Sequence, residues 1–217
     1  QKNGAEKAVV IYDTSNSAYT ELWYENFRKT FLANGGAAVV PLTFHSAPDL
    51  QMLPLIEKTK EVDPDALVIV SNSVDAALLC QQVRKSGWQI PLVLADWAAT
   101  EQLINLGGKA VEGAVISQYF NRDSTDPRYI EFKKSFMLAY KTEPGFGALL
   151  SFNTGMMIFT SMQNQKENES LKETILRISE FEGLQGNFTI NRYGDSSNQT
   201  FIGIIQDGNF VILEDFR

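Results

Sequence analysis

The first half of the chain alternates short runs of β-branched and apolar residues with longer amphipathic stretches. Each of five such runs predicts a strand, and each is followed by a stretch with helical spacing. This alternation is typical of βα units that build a parallel sheet covered by helices on both faces. The predicted strands span residues 8–12, 37–42, 66–70, 91–95 and 111–117.

Helices are predicted after each of the first four strands. In the first of them, Tyr19, Trp23 and Phe27 recur at helical spacing before a stop at Asn34 and two glycines. The second is expected to begin at Asp49, whose side chain is a preferred helix cap. The last three of these helices are predicted over residues 49–60, 74–86 and 100–106.

The second half of the chain has a different pattern after Tyr119. A polar break over residues 121–127 leads into three helical stretches with no strand between them. Two alternating runs then follow, joined by Gln206, Asp207 and Gly208, which predicts a β-hairpin. We therefore expect a crossing into a second domain and a chain that ends in strands. The helices are predicted over 129–140, 146–162 and 171–180, and the hairpin strands over 200–205 and 209–213.

The loops that follow the strands are the candidate site. Right-handed crossovers make the sheet doubly wound, and ligands of such sheets bind beyond the carboxyl ends of the strands. These loops carry hydroxyls, amides, carboxylates and aromatic rings, which suits the orientation of a small polar molecule against an apolar wall. The candidate ligand-binding side chains at this edge are Tyr19, Asn72, Ser73, Asp96 and Trp97.

Three of these residues have two interpretations each. Asp96 can accept charge-assisted hydrogen bonds from a ligand ammonium, or it can be a solvated loop residue or a helix cap. Trp97 can pack on a ligand or cover the helix below it. Tyr19 opens the first helix, where its hydroxyl can reach the crevice, or it makes that helix's first core contact.

The composition argues against several other classes of site. A net charge of −7 and a pI of about 4.8 leave no basic footprint for nucleic acid. One Cys and one His cannot form a closed zinc site, and Cys80 is expected to be a buried thiol. The sequence has no nucleophile elbow around a Ser to pair with His45, and no glycine-rich phosphate loop. We therefore expect a protein that is not an enzyme and has no cofactor and no metal.

The sequence gives little information about the compartment. No apolar run reaches the length of about 18 residues that a membrane span requires, so direct membrane insertion is not expected. The first seven residues have neither a basic region nor an apolar core of an export signal. A cytosolic protein, a mature form and a chain trimmed at its N-terminus are all consistent with this.

Six segments occur in an order and at a spacing that match a known family. They read AVVIYDTSNSAY at 8–19, DALVIVSNSVDAALLCQQVRKSGW at 65–88, PLVLADWA at 91–98, VEGAVISQYF at 111–120, FKKSFMLAYKTEPGFGALLSFNTGM at 132–156 and YGDSSNQTFIGIIQDGNFV at 193–211. Together they resemble the periplasmic binding proteins of the leucine, isoleucine and valine type, and the resemblance covers nearly the whole chain.

The resemblance implies two α/β lobes that are joined by three crossing strands and clamp a ligand between them. On that template, residues 1–119 are the second lobe, 120–187 are the helical return segment of the first lobe, and 188–217 return to the second lobe. The opening part of the first lobe, whose loops hold an amino acid's carboxylate in this family, has no counterpart in the sequence.

The resemblance also implies roles for single residues. Tyr19 falls where the family places a ligand-facing tyrosine, and Asp96 where it places the acid that receives the ammonium. Asn72 and Ser73 occupy a contact loop that is often aromatic in branched-chain amino acid binders, and Phe146 is expected to supply an apolar wall.

The implied function is that of a periplasmic or extracellular receptor for an ABC importer. It would capture an amino acid, an amide or an aromatic acid, close about a hinge and dock on the membrane permease. Two alternatives stay open from the sequence. One is a ligand-sensing module of a receptor or transcriptional regulator with the same fold, and the other is an enzyme with a flavodoxin-like core.

Overall fold

The computed structural model describes residues 4–216 and the side chains of residues 4–213. It divides into two compact units, each described here by itself. The first contains residues up to Gln118 together with Ile202–Leu213, and the second contains Tyr119–Phe201. In chain order the elements are β1 (Lys7–Asp13), α1 (Ser17–Ala33), β2 (Ala38–Phe44), α2 (Leu53–Val62), β3 (Ala66–Val70), α3 (Ser73–Lys85), β4 (Leu92–Leu94), α4 (Glu101–Gly107), β5 (Val115–Gln118), α5 (Pro127–Tyr140), α6 (Phe146–Gln163), α7 (Leu171–Ile178), β6 (Glu180–Gly183), β7 (Gly186–Ile190), β8 (Ser196–Ser197), β9 (Thr200–Gln206) and β10 (Asn209–Phe216).

A seven-stranded sheet forms the centre of the first unit. Its strand order is β10, β9, β5, β4, β3, β1, β2, and β1 to β5 pair in parallel. Residues 8–12 of β1 and the whole of β3 are continuous apolar runs, as expected where both faces of a parallel sheet are buried. The predicted doubly wound α/β fold is therefore confirmed.

Helices cover both faces of this sheet. On one face, Leu79 and Val83 of α3 pack with Ile11 and Ile69 in the larger apolar cluster. On the other, Tyr24 of α1 packs with a smaller cluster that includes Val68. The side chain of Cys80 lies fully buried in the larger cluster, and burial raises the pKa of its thiol to about 12. The prediction of a buried thiol is thus confirmed.

Two predicted boundaries in the first unit were wrong. Helix α2 begins at Leu53 rather than at Asp49, and Pro54 lies in its first turn. Proline fixes φ and lacks an N–H, so it starts a helix more readily than it continues one. The strand predicted from residue 111 begins only at Val115, because Gly113 has a φ of 77° in the turn before it.

The predicted hairpin near the end of the chain is confirmed. Strands β9 and β10 are hydrogen-bonded neighbours joined by Asp207 and Gly208, whose φ angles are 52° and 70°. Positive φ at both residues is what a two-residue type I′ turn requires. The carboxylate of Glu112 accepts hydrogen bonds from both of these backbone N–H groups, which fixes the turn to the loop before β5.

The second unit consists of helices α5, α6 and α7 and a three-stranded sheet with the order β6, β7, β8. The three helices agree closely with the sequence prediction, whereas the short antiparallel strands β6 and β7 were not predicted. Helix α7 has a complete capping box between Ser170 and Glu173. The core of this unit is a small cluster of Phe120, Tyr129, Leu149 and Leu184.

Helices α5 and α6 leave large apolar side chains uncovered. On α6, Phe152 and Met156 are 42% and 44% exposed, and Phe159 is 61% exposed. Together with β6 these helices form a groove of about 790 Å³ whose lining includes Phe132, Phe152, Met156, Met157, Phe181 and Leu184.

Candidate functional site

The carboxyl ends of β1, β3 and β4 lie at one edge of the sheet because these strands pair in parallel. The chain leaves β1 into α1, β3 into α3 and β4 into a helical turn over Asp96–Ala98. The segments that carry Tyr19, Asn72 and Asp96 therefore all begin at the same edge of the sheet. This is the edge at which open α/β sheets bind their ligands.

Tyr19, Asp96 and Trp97 form a cluster at this edge. The Tyr19 hydroxyl donates a hydrogen bond to Asp96 Oδ1 at 2.8 Å. The ring of Trp97 meets that of Tyr19 edge to face, with ring centroids 5.8 Å apart and an angle of 79° between the planes. All three side chains are half-buried, so the cluster joins a carboxylate to two aromatic surfaces at the margin of the solvent.

The Asp96 carboxyl group is held in an environment that disfavours its charge. Burial raises its pKa above the ordinary value, while hydrogen bonding from Tyr19, from its own backbone N–H and from the Trp23 side chain acts in the opposite direction. A positively charged partner stabilises the ionised form of a carboxyl group in this position, because the partner replaces the water that burial has removed.

Asn72 caps helix α3. Its Oδ1 accepts hydrogen bonds from the backbone N–H groups of Val74 and Asp75, at 2.9 and 3.0 Å, and its amide N–H donates to Asp75 Oδ2 at 2.7 Å. Asn72 comes directly after the bend that follows β3, where a polar cap satisfies N–H groups that the helix leaves open. The position of Asn72 at the edge was predicted from the sequence, whereas its role as this cap was not.

Ser73 and Phe146 are engaged elsewhere. The buried Ser73 hydroxyl donates a hydrogen bond to Gln102 Oε1 at 3.0 Å and so links α3 to α4. Phe146 opens α6 in the second unit, where it packs against the cluster of Phe120, Tyr129, Leu149 and Leu184. The hydrogen bonds and contacts of these two residues explain their positions without a ligand.

Asp13, the last residue of β1, connects the loops that follow β1 and β2. It is fully buried, and it accepts hydrogen bonds from the Ser15 N–H at 2.8 Å, from the Ser15 hydroxyl at 2.6 Å and from the Ser46 N–H at 3.1 Å. These bonds hold the loops after β1 and β2 together. The buried position of Asp13 after the first strand is thus explained by its role in holding these loops.

Trp23 is a member of the site that the sequence analysis missed. It lies four residues after Tyr19 on α1, and its side chain interacts with the carboxyl group of Asp96. Residues four apart share one face of a helix, so the spacing from Tyr19 is the signal that identifies it. From the sequence, Trp23 served only as one of the residues at helical spacing that predict α1.

Among the side chains of residues 4–213, no group of three or more His, Cys, Asp or Glu is placed to hold a metal ion. Within the same range, none of the helices combines the length and the apolar character that crossing a membrane demands.

A sequence profile described as "Periplasmic binding protein" matches residues 1–208 of the chain. Among curated proteins, none matches it. Solved structures do, and one of them is a leucine-binding protein from Thermotoga maritima. Its TM-score is 0.90 at 23% identity, over 100% of this chain and 62% of that one.

Two further structures have the same fold. A branched-chain amino acid transporter substrate-binding protein from Streptococcus pneumoniae, in complex with isoleucine, has a TM-score of 0.83 at 18% identity over 98% of this chain and 61% of its own. A solute-binding protein of an ABC transporter from Rhodopseudomonas palustris, in complex with 3,4-dihydroxybenzoic acid, has a TM-score of 0.80 at 19% identity over 99% and 61%. The chain thus spans about three fifths of the length of these structures.

Proposed function

Because the chain belongs to the periplasmic binding protein family, we propose that it is the larger part of a solute-binding receptor for an ABC importer. The receptor works outside the cytoplasm, in the periplasm or at the cell surface, and delivers its solute to a membrane permease. It binds an amino acid or a similar small polar molecule and does not transform it.

The observation that carries this proposal is the cluster of Tyr19, Asp96 and Trp97 at the carboxyl edge of the sheet. Asp96 receives the cationic group of the solute through a charge-assisted interaction. Tyr19 fixes the carboxylate by its hydrogen bond, and Trp97 packs on the apolar part of the solute. A site of this kind supplies orientation and charge without a nucleophile or a proton-transfer pair.

Solved structures with this fold support the class of ligand. One such protein holds isoleucine and another holds 3,4-dihydroxybenzoic acid, so the fold admits amino acids and aromatic acids. For this chain we propose an amino acid, an amide or an aromatic acid. We propose Asn72 and Ser73 as contacts at the edge of the site and Phe146 as an apolar wall, in addition to their bonds within the protein.

We also propose an assignment of the chain to two lobes. Residues 1–119 and 188–217 are assigned to the second lobe, and residues 120–187 to the helical return segment of the first lobe. The compact units divide the chain differently at one point, because residues 188–201 lie in the second unit with β6 and β7. The exposed apolar groove between α5, α6 and β6 supports this assignment, since a lobe with a complete sheet would bury such a surface. The part of the solved structures that this chain does not span is the proposed cover of the groove.

The proposed mechanism is closure about a hinge. A solute that contacts both lobes binds the closed state more tightly than the open state. This difference in affinity is what shifts the population of the receptor towards the closed state. The permease then recognises the closed form, so that transport depends on a loaded receptor.

A thermal-shift screen tests the proposal. The chain, and a longer protein that carries the rest of the first lobe, are heated with amino acids, small amides and aromatic acids. A solute that binds only the folded state raises the melting temperature with its concentration. We expect at least one of these classes of solute to raise the melting temperature of the longer protein. Mass spectrometry should then recover that solute chemically unchanged. A turned-over solute, or no stabilising solute in any of the three classes, contradicts the proposal.

A further inference from the structure

Gln185 binds both backbone hydrogen-bonding groups of Asn121. Its Oε1 accepts the Asn121 N–H at 3.0 Å, and its Nε2 donates to the Asn121 carbonyl oxygen at 2.6 Å. Two residues that face each other in an antiparallel sheet exchange the same reciprocal pair of bonds through their backbones. The primary amide of Gln185 has the donor and the acceptor of a peptide group. It therefore takes the place of a partner strand for a residue that lies outside the strands.

Gln185 is itself held in place by the fold of the second unit. With Leu184 it forms the short turn between β6 and β7, where Gly183 pairs with Gly186. Leu184 is buried in the core cluster of this unit, and its N–H donates to Oδ1 of Asn153 on α6 at 3.0 Å. The amide of Gln185 is thus presented to Asn121 from a turn that is anchored to a sheet, to a helix and to the core.

Asn121 follows the point at which the chain passes from the first unit to the second. The first unit reaches Gln118, the last residue of β5, and the second begins at Tyr119. The next residue, Phe120, is 1% exposed and packs edge to face on Tyr129. Tyr119 is therefore the one residue between the end of a strand in the first unit and a segment that is anchored in the second.

From this arrangement we propose that Gln185 is a positioning residue for hinge closure. By holding Asn121, it confines the change of backbone angles in this passage to Tyr119, so that the two units move along a restricted path. Hinges are a few residues in loops or at the ends of elements that absorb a change of φ and ψ. The anchors on either side determine which residues these are. The inference rests on the proposed function, because it names the residue that guides the closure proposed there.

The test measures how widely the distance between the two units varies when no solute is present. Spin labels are attached to cysteines that replace the exposed Lys58 and Lys172, and double electron–electron resonance gives the distribution of the distance between them. Native Cys80 is buried and its pKa is raised, so it does not take a label. We expect Gln185→Ala to widen the distribution about twofold, because residues that were fixed regain backbone freedom. The matched control Gln163→Ala changes an exposed glutamine of the same unit and should leave the width unchanged.

A glutamate at position 185 provides a second, reversible test. A carboxylate cannot donate, so Gln185→Glu loses the bond to the Asn121 carbonyl oxygen at neutral pH, whereas a protonated carboxyl group has a donor and an acceptor and restores both bonds. We expect a wide distribution at pH 7 that returns towards the wild-type width below about pH 4, where a glutamate side chain takes up its proton. Asp123 and Asp126 are the acidic side chains of the polar cavity that Gln185 also lines, so the wild type and Gln163→Glu are measured at each pH as references.

The outcomes separate guidance of the hinge from stability alone. If Gln185→Ala lowers the melting temperature but has the same distance distribution as Gln163→Ala, the two bonds only stabilise the second unit and the inference is overturned. A distribution in Gln185→Glu that does not respond to pH overturns it as well, and this variant decides the matter if Gln185→Ala does not fold. Neither measurement uses a solute, so the thermal-shift screen tests the proposed function independently of this result.

Discussion

The hydroxyl of Tyr19 donates a 2.8 Å hydrogen bond to Oδ1 of Asp96, although the two residues are 77 positions apart in the chain. The bond connects the start of α1 to the turn after β4, across the carboxyl edge of the sheet. It therefore depends on the order of the strands, and it fixes the position of the carboxylate at the proposed site.

Replacement of Tyr19 by Phe removes this bond and leaves the ring. Hydrogen bonds to charged groups contribute about 1.5 to 3 kcal/mol, so Tyr19→Phe should lower the free energy of unfolding by up to that amount. The pKa of Asp96 should rise further, because one of the bonds that favour its charged form is lost. Urea unfolding measures the first effect and carboxyl NMR titration the second. The exposed Tyr140 is the control, and an Asp96 pKa that responds equally to Tyr140→Phe would exclude the bond as the cause.

The raised pKa of Asp96 predicts a definite dependence of stability on pH. Since burial raises its pKa in the folded state, the folded state binds the proton more tightly than the unfolded chain does. The contribution of Asp96 to stability is full below its unfolded pKa and is lost as the pH rises through its folded pKa.

Asp96→Asn removes this dependence, because an amide does not titrate. The free energy of unfolding of the Asn variant, relative to the wild type, should therefore increase between about pH 3 and pH 7. Urea unfolding at a series of pH values measures this difference. A difference that is constant over the range would show that Asp96 has an ordinary pKa.

The cap of α3 separates a structural role of Asn72 from a role in binding. Asn72→Ala removes an acceptor for two backbone N–H groups and should cost about 0.5 to 2 kcal/mol of stability. Asn72→Ser keeps a cap and should recover most of that loss. Solute affinity measured on both variants then reports the proposed contact. If the solute affinity falls in Asn72→Ala and recovers in Asn72→Ser in step with stability, Asn72 has a structural role only.

Neighbouring leucines on α3 test the core of the first unit. Leu79 is fully buried, whereas Leu78 is 43% exposed. Leu79→Ala should lower the free energy of unfolding by about 2 to 5 kcal/mol, because it leaves a cavity in the larger apolar cluster. Leu78→Ala should cost less than about 1 kcal/mol. Similar losses for the two variants would mean that α3 presents a different face to the sheet.

Much of the fold could be predicted because the first unit follows simple rules. Residues 8–12 in β1 and all of β3 form apolar runs, and α1 and α3 carry apolar residues at helical spacing, so their types were clear. The two wrong boundaries lie where the backbone conformation of a single residue determines the start of an element. Gly113 and Pro54 each set a boundary through their φ angle, which periodicity does not reveal.

The candidate site was predictable in position and less so in detail. Parallel strands bring their carboxyl ends together, which is why the edge could be named from sequence. The partners of each side chain depend on packing, and therefore the cap at Asn72 and the contact of Trp23 with Asp96 emerged only from the structure. Strands β6 and β7 are short and half exposed, so they carry little sequence signal.

The proposed role of Asp96 is tested most directly by calorimetric titration of a solute from the thermal-shift screen into the longer protein and its Asp96→Ala variant. We expect the variant to bind at least about 2 kcal/mol more weakly, because the cationic group of the solute loses its buried partner. Calorimetric affinities that are equal within error for the two proteins would contradict the assignment of Asp96 to the site.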